Sequence, residues 1–428
     1  MSRVFNIIRT AKKDRVRAGR LILELIRELA PRLEIEFATI NRSKLSLNSV
    51  NGSLDAPGKK YFFKFHTEEG ETETMQNSEY YNAKILADAG WPVIQPIFMS
   101  TTPGSQFVVY DHIDAPTAFS AYEEQEDRLL AGGAYDKAVV DKLLQSERTL
   151  GKKIREAYLG SLELSECANI EMASLFQIFY RRLVATGEPT RLQNYYIGKD
   201  VQLPNGKSIP FNELSKKKWT INGVRYQQTL EEIIAKAKDL LDPSKEERVA
   251  TVIGHGDDHN GNRFIISNEY VLFDPAFAGR QPALLSYIKA TAHNVFVHPQ
   301  WLYDPQKLEK SLKLMVSIDD EAVTVDYNWS IEKLSPLRLQ ILDIYKREVW
   351  KPLIQELADR KLLPPYWKDY IRAALFCCPF LVMDLIDGSK YSPAQTVLAL
   401  SKCVELGSKT GEDTVVERFL KDIAPKNI

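Results

Sequence analysis

The sequence is short of cysteine, of net charge and of long hydrophobic runs, and each shortage removes a class of protein. Its four cysteines, Cys167, Cys377, Cys378 and Cys403, are too few and too unevenly spaced in 428 residues for a disulfide framework. The adjacent Cys377 and Cys378 lie in the apolar run Leu375 to Val382, so buried, reduced thiols are expected. Lys and Arg number 56 against 57 Asp and Glu, a net charge of −1. No global basic field therefore draws the chain onto nucleic acid, and any anionic ligand must be held locally. No stretch approaches the roughly 18 apolar residues of a membrane span. The N-terminus meets Arg9, Lys12, Lys13 and Arg15 without an apolar signal core. A soluble, cytoplasmic protein without stable membrane insertion is expected. Hydrophobic residues at 44% and charged residues at 26% exclude wholesale disorder, and the length suits two or three domains or one two-lobed enzyme.

Along the chain, Ile22, Leu25, Ile26 and Leu29 recur at helical spacing within residues 11–30, and Pro31 closes the pattern. The basic face of this helix (Lys12, Lys13, Arg15, Arg17, Arg20) is read as the solvated side of a docked element. The period then changes. Leu33, Ile35 and Phe37 alternate with Glu34 and Glu36, Leu45 and Leu47 alternate with polar residues, and Tyr61 to Phe65 is dense in aromatics, with Asp55-Ala56-Pro57-Gly58 as a turn. A helix over 76–89, ended by Gly90-Trp91-Pro92, and strands over Val93 to Phe98 and Phe107 to Ile113 complete an antiparallel sheet with one helix. Residues 120–190 read as helical. A strand-rich insertion follows over 194–228, with turns at Pro204-Asn205-Gly206 and Asn222-Gly223 and a solvated basic run Lys216-Lys217-Lys218. Two short strands flank Ser267-Asn268-Glu269, and 280–420 reads as helical. The fold class is α+β: an N-terminal helix (1–32), a sheet-bearing lobe (33–114) and a larger, mainly helical lobe (115–428) carrying the insertion.

The densest polar cluster is His255-Gly256-Asp257-Asp258-His259-Asn260-Gly261-Asn262, followed by a strand ending at Asp274. An acidic residue, an Asn five positions on and a second acid after the next strand is the arrangement that phosphoryl transfer requires. Asp257 would accept the proton of an attacking hydroxyl. Asn262 and Asp274 would hold Mg²⁺. The mechanism also calls for a strand lysine near the phosphates and a helix carboxylate to hold it. Lys64, set between Phe63 and Phe65, and Glu79 on the following helix meet that requirement.

The loop closely resembles the His-Gly-Asp-x-His-x-x-Asn catalytic loop of the aminoglycoside phosphotransferase and choline kinase family, the small-molecule branch of the protein-kinase-like fold. Residues 76–98 and Val108-Val109-Tyr110-Asp111-His112-Ile113 look like its glutamate helix and interlobe hinge. The resemblance covers roughly 33–300 in outline, and its specific motif is 255–274. It implies a two-lobed kinase-like fold, ATP or GTP as donor, Mg²⁺, a small-molecule hydroxyl acceptor, and adenine bound by the hinge near Tyr110, Asp111, His112 and Ile113. Two features depart from the family. Pro275-Ala276-Phe277-Ala278-Gly279 follows Asp274 in place of an Asp-Phe-Gly switch, and the phosphate loop position, Asn41-Arg42-Ser43-Lys44, has no glycine, leaving either phosphate contacts from the Ser43 or Arg42 side chain or a solvated turn.

His255 and His259 are read as loop-supporting. Arg280 suits an acidic acceptor and Asp258 a cationic one, or either belongs to an ion pair. The cluster Phe296, His298, Trp301, Tyr303 is read as core before it is read as a wall for an amine. The insertion and the helices after 280 are expected to shape the acceptor pocket. A metal-dependent hydrolase built on the histidines leaves Lys64 and Glu79 unexplained, and a non-catalytic kinase-like module has no chemical need for the full set.

Overall fold

A computed structural model describes residues 3–41, 49–66, 83–100, 102, 104–167, 178–185 and 187–426. The N-terminal segment forms two helices, α1 (Arg3–Ala11) and α2 (Arg15–Leu29). They separate at Asp14, whose carboxylate accepts the Arg17 amide as an N-cap. The sheet contains β1 (Phe37–Ile40), β2 (Ser49–Ala56), β3 (Lys59–His66), β4 (Phe98–Ser100) and β5 (Phe107–Asp111) in the order β1-β2-β3-β5-β4, antiparallel throughout. Ile22, Leu25 and Ile26 on α2 pack with Leu54, Phe63, Phe65 and Phe107 in one core. Lys12, Lys13, Arg15, Arg17 and Arg20 stay exposed, so the helix is docked with a solvated basic face.

Departures from the expected strands have local causes. Pro31–Leu33 forms a 3₁₀ turn and Glu34 adopts φ 50°, so the strand begins only at Phe37. The strand expected at Leu45 to Leu47 lies outside the described residues, and β2 follows it at Ser49. Pro57-Gly58 closes the β2–β3 hairpin, with Gly58 at φ 70°. Pro92 and Pro96 reduce the expected strand 93–98 to a single bridge from Val93 to Leu272 before β4 begins. The helix expected over 76–89 is described as α3 (Ala83–Asp88).

The second lobe opens with α4 (Ala118–Leu130) and α5 (Lys137–Ser161). Its strands are β6 (Glu163–Glu166), β7 (Asp200–Gln202), β8 (Ser208–Pro210), β9 (Lys218–Ile221), β10 (Val224–Arg225), β11 (Arg248–Gly254), β12 (Arg263–Ile266), β13 (Glu269–Leu272), β14 (Gly279–Pro282), β15 (Leu314–Ile318) and β16 (Ala322–Tyr327). In the insertion, Asn194 does not open a strand. Thr190 and Gln193 form a capping box that starts the helix Arg191–Tyr195, and the hairpin is β7–β8. Asn222 and Gly223, at φ 48° and 81°, turn β9 into β10. β9 also pairs in parallel with β16, giving the sheet β10-β9-β16-β15, whose strands β15 and β16 lie in a region expected to be helical. Lys217 is not solvated: its buried ammonium donates to the carbonyls of Asp319 and Asp320 in the β15–β16 turn. β6 is likewise a strand where helix was expected, pairing with β11 as a polar edge.

The mainly helical remainder buries Trp301, Trp350 and all four cysteines, none in a disulfide. Among the described residues no helix is long and apolar enough to cross a membrane. Backbone and side-chain bonds tie the lobes beside Trp91. The Trp91 indole donates to the Ile253 carbonyl, and the backbone of Pro92 and Ile94 bonds Leu272 on β13.

Docking of α2 has a direct check. Ile26→Ala should cost about 2–5 kcal/mol, whereas Arg17→Ala and Arg20→Ala should each stay within about 0.5 kcal/mol. Equal effects in urea unfolding would refute it.

Candidate functional site

β11 ends at Gly254, the hairpin β12–β13 follows, and residues 255–262 loop between them. His255 organises this loop. Its Nδ1 accepts the Asp257 amide at 3.3 Å, which leaves the hydrogen on Nε2 to donate to the Phe273 carbonyl at 3.0 Å. Burial lowers its pKa against the pull of Asp258 and Asp257, so the ring is neutral, as those two bonds require. Gly256 sits at φ 75° with Phe277 so close that an added Cβ would lie 2.5 Å from its carbonyl oxygen. No other residue fits. His259 accepts the Gly261 amide at 3.0 Å through Nδ1 and turns Nε2 toward Asp257, 3.7 Å away. Both histidines support the loop.

Asn262 donates from Nδ2 to the Asp257 carbonyl at 3.0 Å, so its Oδ1 points away from that bond as a neutral oxygen donor. Its own carbonyl accepts the Phe273 amide at 3.0 Å, placing Asp274 beside it. Asp274 is held at φ 58°, a conformation that costs a non-glycine residue of order 1 kcal/mol. Across the lobe junction Lys64 forms an ion pair with Asp274, both largely buried. Lys64, Asp257, Asn262, Asp274 and the hinge residues Tyr110, Asp111, His112 and Ile113 all line one cavity of about 1020 Å³. The hinge is pinned below: the Ile265 amide donates to the Pro116 carbonyl and Thr117 bridges Phe264. Glu79 and Ser43 lie outside the described residues.

Two expected acceptor contacts are corrected. Asp258 is buried and its carboxylate takes the Arg263 Nε at 2.5 Å, so it faces away from any acceptor. Arg280, on β14, donates to the Ser161 carbonyl at 3.0 Å and pairs with Glu163 at 3.1 Å, locking β14 to the end of α5 and to β6. The insertion 194–228 contributes no residue to the cavity wall; Arg191, just before it, does. Of the aromatic cluster, Phe296, His298 and Trp301 are core, whereas Tyr303 lines the cavity together with the nearby His293. Among the described residues no group of three His, Cys, Asp or Glu could hold a metal ion.

Three further residues decide the site. Lys289, on the short helix Ile288–Thr291, is 8% exposed and ion-pairs with Asp257. Burial would raise the Asp257 carboxyl, but the Lys289 ammonium and then His259 hold it well below the usual carboxylate range. The signal for Lys289 was there, a lone lysine in the apolar stretch Leu284 to Val295. Arg263, fully buried, pairs with both Asp258 and Glu147 of α5, and donates to the Tyr345 hydroxyl at 3.1 Å. Asn294 accepts the Asn260 amide at 2.7 Å and donates to the same hydroxyl at 2.9 Å. Glu147 and Tyr345, 116 and 82 residues away from Arg263, leave no local trace.

No family model matches the chain, and no curated protein matches it. Among solved structures the chain is similar to spectinomycin phosphotransferase in complex with ADP and spectinomycin, at 13% identity over 90% of this chain and 98% of that one, TM-score 0.37. It is also similar to a thermostable mutant aminoglycoside phosphotransferase in ternary complex with ADP and hygromycin B (12%, 91% and 99%, TM-score 0.46), and to choline kinase from Cryptosporidium parvum (10%, 90% and 96%, TM-score 0.38). At such identities and scores the likeness decides nothing about chemistry, which rests on the side chains.

Arg263→Met should destabilise the fold by about 3–5 kcal/mol, because it strands two buried carboxylates; a loss below about 1 kcal/mol in urea unfolding would contradict that. Lys289→Met tests the charge balance by pH. The depressed Asp257 pKa contributes stability above the unfolded-state value and loses it as pH falls through the folded one. Without Lys289 the Asp257 pKa rises, so the variant's deficit should be largest near neutrality and shrink on acidification between about pH 7 and 4. A deficit that does not change with pH would refute the pairing.

Proposed function

We propose that the chain is a Mg²⁺-dependent phosphotransferase, moving the γ-phosphoryl group of ATP or GTP to a hydroxyl of a small molecule. One observation carries this reading: Asp257, held ionised by Lys289, shares a single cavity with Lys64, Asn262, Asp274 and the hinge. In this reading the sheet lobe and hinge take the nucleotide, and the helical lobe presents the acceptor. The four buried, reduced thiols suit a cytoplasmic setting.

Asp257 would orient the attacking hydroxyl and take its proton late. Its depressed pKa makes it a weak base, which suits a loose transition state that needs little nucleophile activation. Lys64 would neutralise phosphate oxygens, its strand keeping it at the lobe junction. Asn262 Oδ1 and the Asp274 carboxylate form a hard-oxygen pair that fits Mg²⁺, an ion that keeps water and phosphate as its remaining ligands. Bound there, the cation would supply charge neutralisation across the transferring phosphates. His255 and Gly256 keep Asp257 and Asn262 in register.

Asp257→Asn should lower turnover by about 10²–10⁴-fold while sparing nucleotide affinity. Asp274→Ala should abolish Mg²⁺-dependent binding of a non-hydrolysable nucleotide in calorimetry. Normal turnover in both variants would sink the proposal.

A further inference from the structure

The helical-lobe end of the cavity holds cations and a donor that the catalytic set does not use. Of the acids lining the cavity, Asp257 is matched by Lys289, Asp274 by Lys64 and Glu123 by Lys307. Arg338, also on the wall, is taken by Glu126. Lys390 is different. Half-buried, it has no carboxylate within ion-pair distance among the described residues; its ammonium meets only the Met383 sulfur at 3.8 Å and the Tyr391 ring at 5.7 Å. Burial lowers its pKa, only partly offset by Asp387 and Asp304. Arg191 donates to the Leu381 carbonyl at 3.0 Å and likewise has no carboxylate partner among the described residues. Arg182 lines the same wall and adds its charge near His293 and Cys378.

A second, independent observation comes from His293. The ring is 8% exposed, and its Nδ1 is 2.9 Å from the Tyr303 hydroxyl. Burial drives its pKa well down, so the ring is neutral. With Nδ1 accepting from the phenol, Nε2 carries the hydrogen, and among the described residues that nitrogen has no partner. A buried donor left without an acceptor is costly, and His293 lines the same cavity as the two cations.

We propose that the acceptor carries an anionic group, a carboxylate or a phosphate, besides the hydroxyl that receives the phosphoryl group, and that Lys390, Arg191 and His293 Nε2 hold it. The inference rests on the phosphotransferase reading and adds the substrate class to it. Charge-assisted hydrogen bonds from this cluster fix the far end of the acceptor, so that its hydroxyl meets Asp257. Asp304, on the same wall, is an acid that would favour a cation instead.

The test is calorimetric binding of four matched probes to the full chain saturated with Mg²⁺ and a non-hydrolysable ATP or GTP analogue: galacturonate, galactose 6-phosphate, galactose and galactosamine. One or both anionic probes should bind at least about tenfold tighter than galactosamine, and Lys390→Gln should remove that preference without changing nucleotide affinity. Preference between the two anions separates a carboxylate from a phosphate. The proposal is overturned if galactosamine binds as tightly as the anions, if the preference survives in both Lys390→Gln and His293→Phe, or if no probe binds protein that holds nucleotide. Failure of the folded protein to bind nucleotide at all is a separate result, which removes the phosphotransferase reading first.

Discussion

The buried guanidinium of Arg263 is the interaction on which the rest of the site depends. It stands at the start of β12, directly after the loop that carries Asp257 and Asn262, and it reaches Asp258 in that loop, Glu147 on α5 and Tyr345 on the helix Pro336–Tyr345. Charges this deep are expensive to desolvate, and hydrogen bonds to their remaining lone pairs offset that cost. Tyr122 donates to Glu147 at 3.1 Å, Tyr270 donates to Tyr122, and Asn294 ties Tyr345 to the loop. The network ties the loop to α5 and to the helix Pro336–Tyr345.

On that fixed base the cavity is balanced by pairing. Each acid of the proposed chemistry has its own lysine, Asp257 with Lys289 and Asp274 with Lys64, brought from different elements. Lys64 comes from β3 of the first lobe, so its pair with Asp274 joins the halves at the point where phosphate would pass, while Lys289 and Asp257 pair within the second lobe. A second buried set, Glu126 with Arg338 and His298, holds the helical wall that presents His293 and Lys289, since Arg338 also donates to the Asn294 carbonyl at 3.1 Å.

What could be read from the sequence was what is local. The spacing of Asp257, Asn262 and Asp274 survives because a loop and one short hairpin carry all three, and Lys64 stood out because an ammonium between two phenylalanines needs a reason. Turns read well for the same cause: Pro57-Gly58 and Asn222-Gly223 dictate their own backbone. Asp258 misled because its neighbour in sequence faces the cavity while it faces Arg263, a choice made by burial. Lys289 was passed over because its partner lies 32 positions away. The alternation Val323, Val325, Tyr327 was legible as a strand, but it sits among helices and its pairing partner β9 is remote. The Asn194 strand failed because Thr190 and Gln193 cap a helix first.

The parallel pairing of β9 with β16 also sets an order of events in time. Lys218 to Ile221 find their partners only at Ala322 to Val325, about a hundred residues further along. A chain emerging from its N-terminus therefore makes the sheet lobe, α5 and the hairpin β12–β13 before β9 has anything to pair with beyond β10. Loop closure over that span is slow relative to the local hairpins. Within the insertion the β7–β8 hairpin closes locally, whereas β9 presents an unpaired edge until β16 arrives, a surface open to wrong partners while it waits.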